Sequence, residues 1–424
     1  MTIRSLSHLP LAQHGRLPTS GRNPVAASDP VEQVEFEPRP QFRAPAEALK
    51  FMADFNSQLG ISEEMVAEKN QLMAESSHAF FRASPALFYH DLHTTYQNRS
   101  KLLPDPAPTV AVLGDAHALN AGTFRGPEGQ TVWGLNDFDQ AEMGSPEWDL
   151  ERLGVSLYVA ARSGGETAED ATDLVRKMGR AYLEGLSDPG PSYLQEHEVS
   201  GRIRKLVEKS GAKTQGALLE KWTDGNGKLK RDEELVEPDA GRGAELKKVL
   251  QAKFPSLKFL DLASKPHSGG STRGLERYYS LVESPDRAEP WILEIKAVLP
   301  SPVQVPDGDL SRGDGEKVLE LQRLMGGQVD GPQAFQLGKI AFFTRERERE
   351  KGSLKDKPEH LQDSAEAIGK LLARAHSGSK ADIKGWVDSR EDQLLENLVS
   401  FSRTYARQVE SDFREWQAKY SLAG

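Results

Sequence analysis

The chain has 424 residues, 37% of them apolar and 28% charged, with a formal charge of −10 and no cysteine. That acidity excludes a nucleic-acid-coating role, and the missing cysteine excludes disulfide frameworks, thiolate catalysis and Cys-ligated zinc or iron–sulfur sites. No run reaches the roughly 18–20 apolar residues that span a bilayer, so the pattern is that of a soluble globular protein without a membrane span. At roughly 150 residues per domain, its length suits two or three lobes.

Residues 1–40 read as a disordered leader, rich in Ser, Pro, Gly and Arg and without a periodic apolar face. The first acidic residue is Asp29, while Arg4, Arg16 and Arg22 make the leader basic. It lacks the apolar core of a secretory signal peptide. It is either a floppy terminus of a cytoplasmic protein or the uncleaved export leader of an effector injected into a host cell, where a host protein would be its partner. From Pro45 to Leu92 the pattern is helical. An apolar strand, Thr109–Leu113, runs straight into Gly-Asp-Ala-His, and a second short strand, Val132–Leu135, ends in Asn-Asp-Phe-Asp. Trp148–Ala161 reads as a buried helix. Residues from about 195 to 255 are charged and look like a mobile connection, with a turn at Asp224-Gly-Asn-Gly. Tyr278–Glu283 and Trp291–Lys296 form an expected strand hairpin, followed by a helix over Glu316–Met325 and a strand over Ile340–Thr344. Ala365–His376 and Asp388–Tyr420 are helical, and no internal repeat is visible.

The chemistry-bearing residues begin with Asp115 and Asn120, at the spacing Asp-x-x-x-x-Asn just after a strand. This resembles the catalytic loop of protein kinases, where the Asp accepts the substrate hydroxyl's proton and the Asn holds magnesium. Asp137-Phe138-Asp139 then stands at a strand end, where a kinase places its magnesium-binding Asp-Phe-Gly. Magnesium takes oxygen ligands from a few carboxylates plus substrate phosphate, which Asn120 and Asp137 would supply, with Asp139 as a second ligand or a loop-ordering carboxylate. Ser268-Gly-Gly-Ser-Thr-Arg-Gly274 precedes the Tyr278 strand, and Gly-rich backbone can bring N–H groups close to phosphates. Lys296 ends Ile-Leu-Glu-Ile-Lys, similar to the strand whose lysine pairs the α/β-phosphates. Glu320, or less favourably Glu316, is its expected ion-pair partner on the following helix. The segment after Phe343 would be the hinge that touches adenine.

The order of these parts is displaced. A kinase has its Gly-rich loop first and its catalytic loop afterwards, whereas here residues 114–139 precede 268–296 and the helix Ile368–His376 lies near the C-terminus. A circular permutation accounts for all three displacements, and such rearrangements are tolerated where termini meet on the surface. The same residues carry a resemblance to the bacterial DUF2252 family: Gly-Asp-Ala-His-Ala-Leu-Asn (114–120), Asn-Asp-Phe-Asp (136–139), Glu147-Trp-Asp-Leu-Glu-Arg-Leu153, Arg277-Tyr278, Leu293-Glu-Ile-Lys296 and Leu372-Ala-Arg-Ala-His376. Met73–Arg82 is similar to that family's entry helix, with Ala83 where glycine is usual. The resemblance covers residues 45–380. It implies a protein-kinase-like fold related to aminoglycoside and choline phosphotransferases, in which Asp149 would be a buried structural carboxylate.

The expectation is therefore an α+β, protein-kinase-like two-lobe fold, circularly permuted. It comprises the leader (1–40), a helical catalytic lobe (41–200), the charged connection (201–255), a nucleotide-binding lobe with an antiparallel sheet (256–350) and a helical return (351–424). The expected activity is ATP- and Mg²⁺-dependent phosphoryl transfer to a hydroxyl of a small molecule or protein, with Asp115 and His117 as the catalytic residues and Asp115 as the base. Asn120, Asp137 and Asp139 would be the metal residues, and Gly269, Gly270, Ser271, Gly274, Lys296 and Glu320 the nucleotide-binding set. The alternatives are nucleotidyl transfer by the same fold and a non-catalytic nucleotide-sensing or host-protein-binding module. His117 either orients the loop by a hydrogen bond or ligates metal as in Gly-Asp-x-His metallophosphoesterases, whose accompanying Gly-Asn-His-Asp segment is missing. His376 is a packed histidine or a catalytic-loop contact. Arg152 can pair with Asp149 three residues earlier, and Arg345 with Glu346–Glu350 looks like a solvated face.

Overall fold

The first helices start where sequence chemistry lets them. Pro45 opens α1 (Pro45–Gln58), whose Ala48, Met52 and Phe55 fall on one buried face. Proline is favoured there because the first helical N–H has no partner to lose. Ser62 caps α2 (Glu63–Met73) by accepting from Met65 N, and Ser76 caps α3 (Ser77–Ala83) by accepting from Ala79 N. Pro85 then opens α4 (Pro85–His93). The computed structural model describes residues 43–97, 101–188, 190–267, 269–304, 308–327, 331 and 333–421; the leader expected over 1–40 and Ser268 of the glycine-rich run lie outside them.

Strand β1 (Val110–Val112) pairs antiparallel with β4 (Glu142–Gly144), and between them runs the hairpin of β2 (Ala121–Arg125) and β3 (Thr131–Leu135). Helices α5 (Pro146–Ser163) and α6 (Ala168–Gly185) follow, the second opened by a capping box between Thr167 and Asp170. The two-residue strands β5 (Tyr193–Leu194) and β11 (Gly352–Ser353) flank the hairpin to complete a four-stranded sheet.

Residues 201–253 are not a structureless connection. They fold into α7 (Gly201–Gly211), α8 (Gln215–Trp222) and α9 (Ala240–Lys253). The Asp224 turn is present, with Asp224 Oδ1 accepting from Asn226 N and Lys228 N. The few apolar residues in this charged stretch cover both faces of the next sheet. Leu246 and Leu250 of α9 pack with Tyr278, Val282, Leu293 and Ile295, while Trp222 and Leu229 pack with Tyr279, Leu281 and Ile292. Successive strand residues point to opposite faces, so each strand serves both layers.

That sheet has five antiparallel strands: β6 (Lys258–Ser264), β7 (Arg277–Glu283), β8 (Trp291–Ala297), β9 (Ala334–Leu337) and β10 (Ile340–Glu346), in the order β6-β7-β8-β10-β9. Helix α10 (Gly315–Leu324) connects β8 to β9 and buries Val318 and Leu319 against Phe343 and Ala341. The return consists of α11 (Pro358–Ser377), α12 (Ile383–Val387) and α13 (Glu391–Tyr420). α11 and α13 pack with α5 and α6 in one apolar core that also takes in α1, α3 and α4. The close approach of α11 to α6 needs Gly369, because a Cβ there would lie 2.3 Å from Met178 O. Residues 42–424 form one compact unit. The architecture is mixed α+β with antiparallel sheets, and no helix of the described residues is long and apolar enough to cross a membrane.

Candidate functional site

The loop after β1 is shaped by its backbone. Gly114 has φ +73°, and a Cβ on it would lie 2.0 Å from Gln140 O, so only glycine fits. The buried carboxylate of Asp149 takes the two amides at the bend, Leu113 N at 2.6 Å and Gly114 N at 3.2 Å. His376 Nε2 lies 3.2 Å from Asp149 Oδ2, and its Nδ1 lies 3.0 Å from Tyr182 OH. Asp149 is thus a buried structural carboxylate, and His376 is both packed and linked to the loop through it.

Arg152 does not pair with Asp149. It reaches Asp115, donating from Nε at 2.9 Å and also from Nη2, both to Oδ1. Its guanidinium is wholly buried, 4.6 Å from the Phe81 ring centre and 5.3 Å from that of Phe88. Burial pushes the Asp115 carboxyl up to about 6 even though Arg152 opposes the rise. His117 Nδ1 accepts from Leu119 N at 3.1 Å, which is the loop-orienting role, and burial beside Arg82 and Arg152 holds its pKa well below the usual imidazole range. Asn120 donates its Nδ2 to Asp115 O at 2.6 Å, so its amide oxygen is the atom left to accept.

Asp137 and Asp139 follow β3 and face Lys296 of β8. The lysine ammonium contacts Asp139 and stands 3.9 Å from Asp137 Oδ1. Burial opposes ionisation of Asp137, yet Lys296 and Arg345 hold it below the usual carboxylate range; burial lowers Lys296 in turn. Asp137 Oδ1 is buried with no hydrogen-bond donor among the described residues. The turn between β6 and β7 closes over these groups and is fastened from α2. The buried Lys69 ammonium donates to Ser271 O at 3.0 Å, and Glu68 holds His267 at 2.9 Å and Arg273 at 3.2 Å. Burial brings Lys69 down to about 7.

One cavity of about 650 Å³ gathers Asp115, His117, Asn120, Asp137, Asp139, Gly269, Gly270, Ser271 and Lys296. Gly274 is not among its lining; it turns back, its N–H donating to Pro266 O at 3.1 Å, against Met65. Glu320 is also outside it. Helix α10 points Val318, Leu319 and Leu321 inward, which leaves Glu316 and Glu320 exposed; the carboxylates facing Lys296 come from the Asp137–Asp139 loop instead.

Arg345 and its neighbours are not a solvated face. Arg345 Nε donates to Glu294 Oε2 at 2.6 Å, and Arg277 Nε to Glu294 Oε1 at 2.8 Å. Against the cost of burial, these two guanidiniums hold Glu294 well below the usual range. The residues after Phe343 line a smaller recess of about 110 Å³, with Leu135, Phe138 and Phe343 as its apolar wall, which shares Asn136, Arg345 and Lys351 with the larger cavity. Arg152, Lys69, Glu294 and Arg345 were not legible as site residues, since their partners lie 37, 202, 17 and 51 positions away.

Residues 62–419 match the model of DUF2252, a family described as uncharacterized protein conserved in bacteria, and the chain belongs to that family. No curated protein and no solved structure matches it.

Proposed function

We propose that this DUF2252 member is a magnesium- and ATP-dependent phosphotransferase with a circularly permuted, protein-kinase-like fold. The observation that carries the reading is the convergence of Asp115, Asn120, Asp137, Lys296 and the Gly269–Ser271 backbone on one cavity, although they come from segments about 150 residues apart in sequence. The five-stranded sheet supports it: a Gly-rich turn joins the first two strands, the third carries Lys296, and a helix precedes the last two. That is the arrangement of nucleotide-binding parts in kinases. The β1–β4 pair enclosing the β2–β3 hairpin supplies the loops that bear Asp115, Asn120 and Asp137.

In this reading, the acceptor oxygen bonds to the γ-phosphorus of ATP as the bond to the bridging oxygen breaks and ADP leaves. The acceptor's proton passes to Asp115, whose Oδ2 is not taken by Arg152. The oxygen donors fit magnesium: Asn120 and the undonated Asp137 Oδ1 would hold it, with Asp139 beside them, and it would neutralise charge on the phosphates. Phosphate oxygens would compete with Asp139 for the Lys296 ammonium. A second reading, a non-catalytic nucleotide-sensing or protein-binding module, draws on the outward position of Glu320, because active kinases pair the strand lysine with a helix glutamate. Nucleotidyl transfer would use the same residues. Comparing γ-phosphate transfer with nucleotide binding in wild type and Asp115→Asn separates these readings. Loss of transfer with binding retained supports phosphotransferase activity, and binding without any transfer in wild type supports the module.

A further inference from the structure

Arg82 lies in the last turn of α3 and lines the same cavity as Asp115, Asn120 and Asp137. Its Nε is buried with no hydrogen-bond partner, and the guanidinium has no ion pair among the described residues. The acids near it are engaged elsewhere: Asp115 by Arg152 at 2.9 Å and Asp356 by His78 Nδ1 at 2.5 Å. The positive charge nevertheless acts on the site: burial raises Asp115 and Arg82 opposes that rise, burial lowers His117 and Arg82 adds to it, and Arg82 adds to the lowering that His78 imposes on Asp356 against burial. Leaving a buried donor of a charged group unsatisfied is costly, so such a group in a cavity wall points to a ligand that completes it. A guanidinium presents paired donors that match a phosphate or phosphoryl group.

We propose that Arg82 receives a phosphoryl oxyanion in the cavity beside Asp115. The inference deepens the phosphotransferase reading and rests on it for the source of the phosphoryl group. That source is either the terminal phosphate of the nucleotide or a phosphate carried by the acceptor. In the first case Arg82 neutralises charge on the group in transfer, and in the second it orients the acceptor's hydroxyl toward Asp115.

The test titrates orthophosphate, MgADP and MgATP into the full chain as wild type, Arg82→Gln and Arg82→Lys, and follows thermal unfolding in parallel. Orthophosphate binds wild type, and Arg82→Gln weakens it about 10–100-fold. Arg82→Lys, which keeps the charge but loses the paired donors, falls between and provides the test if the glutamine variant does not fold. Without ligand the variants melt with wild type, because no intramolecular partner is lost. A matching loss for MgATP but not MgADP assigns the site to the nucleotide's terminal phosphate. Unchanged MgATP affinity, with orthophosphate lost from the MgATP-loaded protein, assigns it to the acceptor. Arg82-dependent orthophosphate binding in a protein that takes no nucleotide keeps the anion site and removes the phosphotransferase reading. Equal affinities in wild type and Arg82→Gln, or no orthophosphate bound by wild type, overturn the proposal and leave that reading to its own test.

Discussion

Replacing Asp149 by alanine is the sharpest perturbation the site offers, because its carboxylate touches no expected substrate and yet sets the loop that does. Its two oxygens take Leu113 N at 2.6 Å, Gly114 N at 3.2 Å and a His376 contact at 3.2 Å, all in a place with no solvent. In Asp149→Ala the two buried amides lose their acceptor. At about 1–3 kcal/mol for each of the two orphaned buried amides the loss is about 2–6 kcal/mol, and His376 Nε2 loses its contact as well while Nδ1 keeps Tyr182 OH. Against a typical stability of about 5–15 kcal/mol, this is a large fraction of the total. Asp149→Asn keeps one acceptor oxygen but turns an NH₂ toward a donor, so about half of the loss is expected. Urea denaturation followed by tryptophan fluorescence measures it. The folded fraction of the variant, isolated at low temperature, should also bind MgATP less tightly, since Asp115 is the residue after the released amide. A loss below about 1 kcal/mol would refute the claim that this carboxylate holds the loop.

Four further outcomes follow from the same geometry. Phosphoryl transfer should rise with pH through about 6, because Asp115 accepts a proton only when ionised and burial places its carboxyl there; Asp115→Asn should remove transfer at every pH. Lys69 has its folded pKa lowered to about 7 from 10.5, so the unfolded chain binds more protons between these values and stability rises with pH in that window. Its share is roughly 2 kcal/mol between pH 7 and about 8.5, and Lys69→Met should flatten the rise; an unchanged slope contradicts the assignment. Gly114→Ala should cost more than the roughly 1–3 kcal/mol of left-handed backbone strain alone, because the new Cβ meets Gln140 O; a near-neutral melting temperature would show that the loop can shift. Glu320→Gln should leave MgATP affinity unchanged, since Glu320 is exposed and outside the cavity, and a marked loss would show that α10 rotates to reach Lys296.

The local patterns carried far. Strand alternation in 277–297, the helix over 315–324 and the long C-terminal helices were all visible as apolar periodicity. The grouping of Asp115, Asn120, Asp137 and Lys296 was expected from the resemblance of their motifs to those of kinases, and the four line one cavity. What escaped was decided by long-range pairing. The residues around 201–253 look like a linker because their apolar positions are few, and those few matter only once a two-faced sheet needs covering. Arg152 sits at good helical spacing for Asp149, but Asp149 is claimed by backbone amides and the arginine reaches Asp115 across the fold. Glu320 was read from the order of elements alone, and the side of α10 that faces the sheet is set by Val318 and Leu319. The run Arg345–Glu350 is rich in charge yet partly covered, because its charges pair with Glu294 and Arg125 and with one another.

The most direct test of the central claim is calorimetric titration of MgATP into wild type and Asp137→Ala, with and without magnesium. The phosphotransferase reading expects magnesium-dependent binding in wild type that Asp137→Ala weakens by about tenfold or more, as loss of a charge-assisted metal contact implies. Absence of binding to folded wild type, or binding indifferent to both magnesium and Asp137, would contradict it.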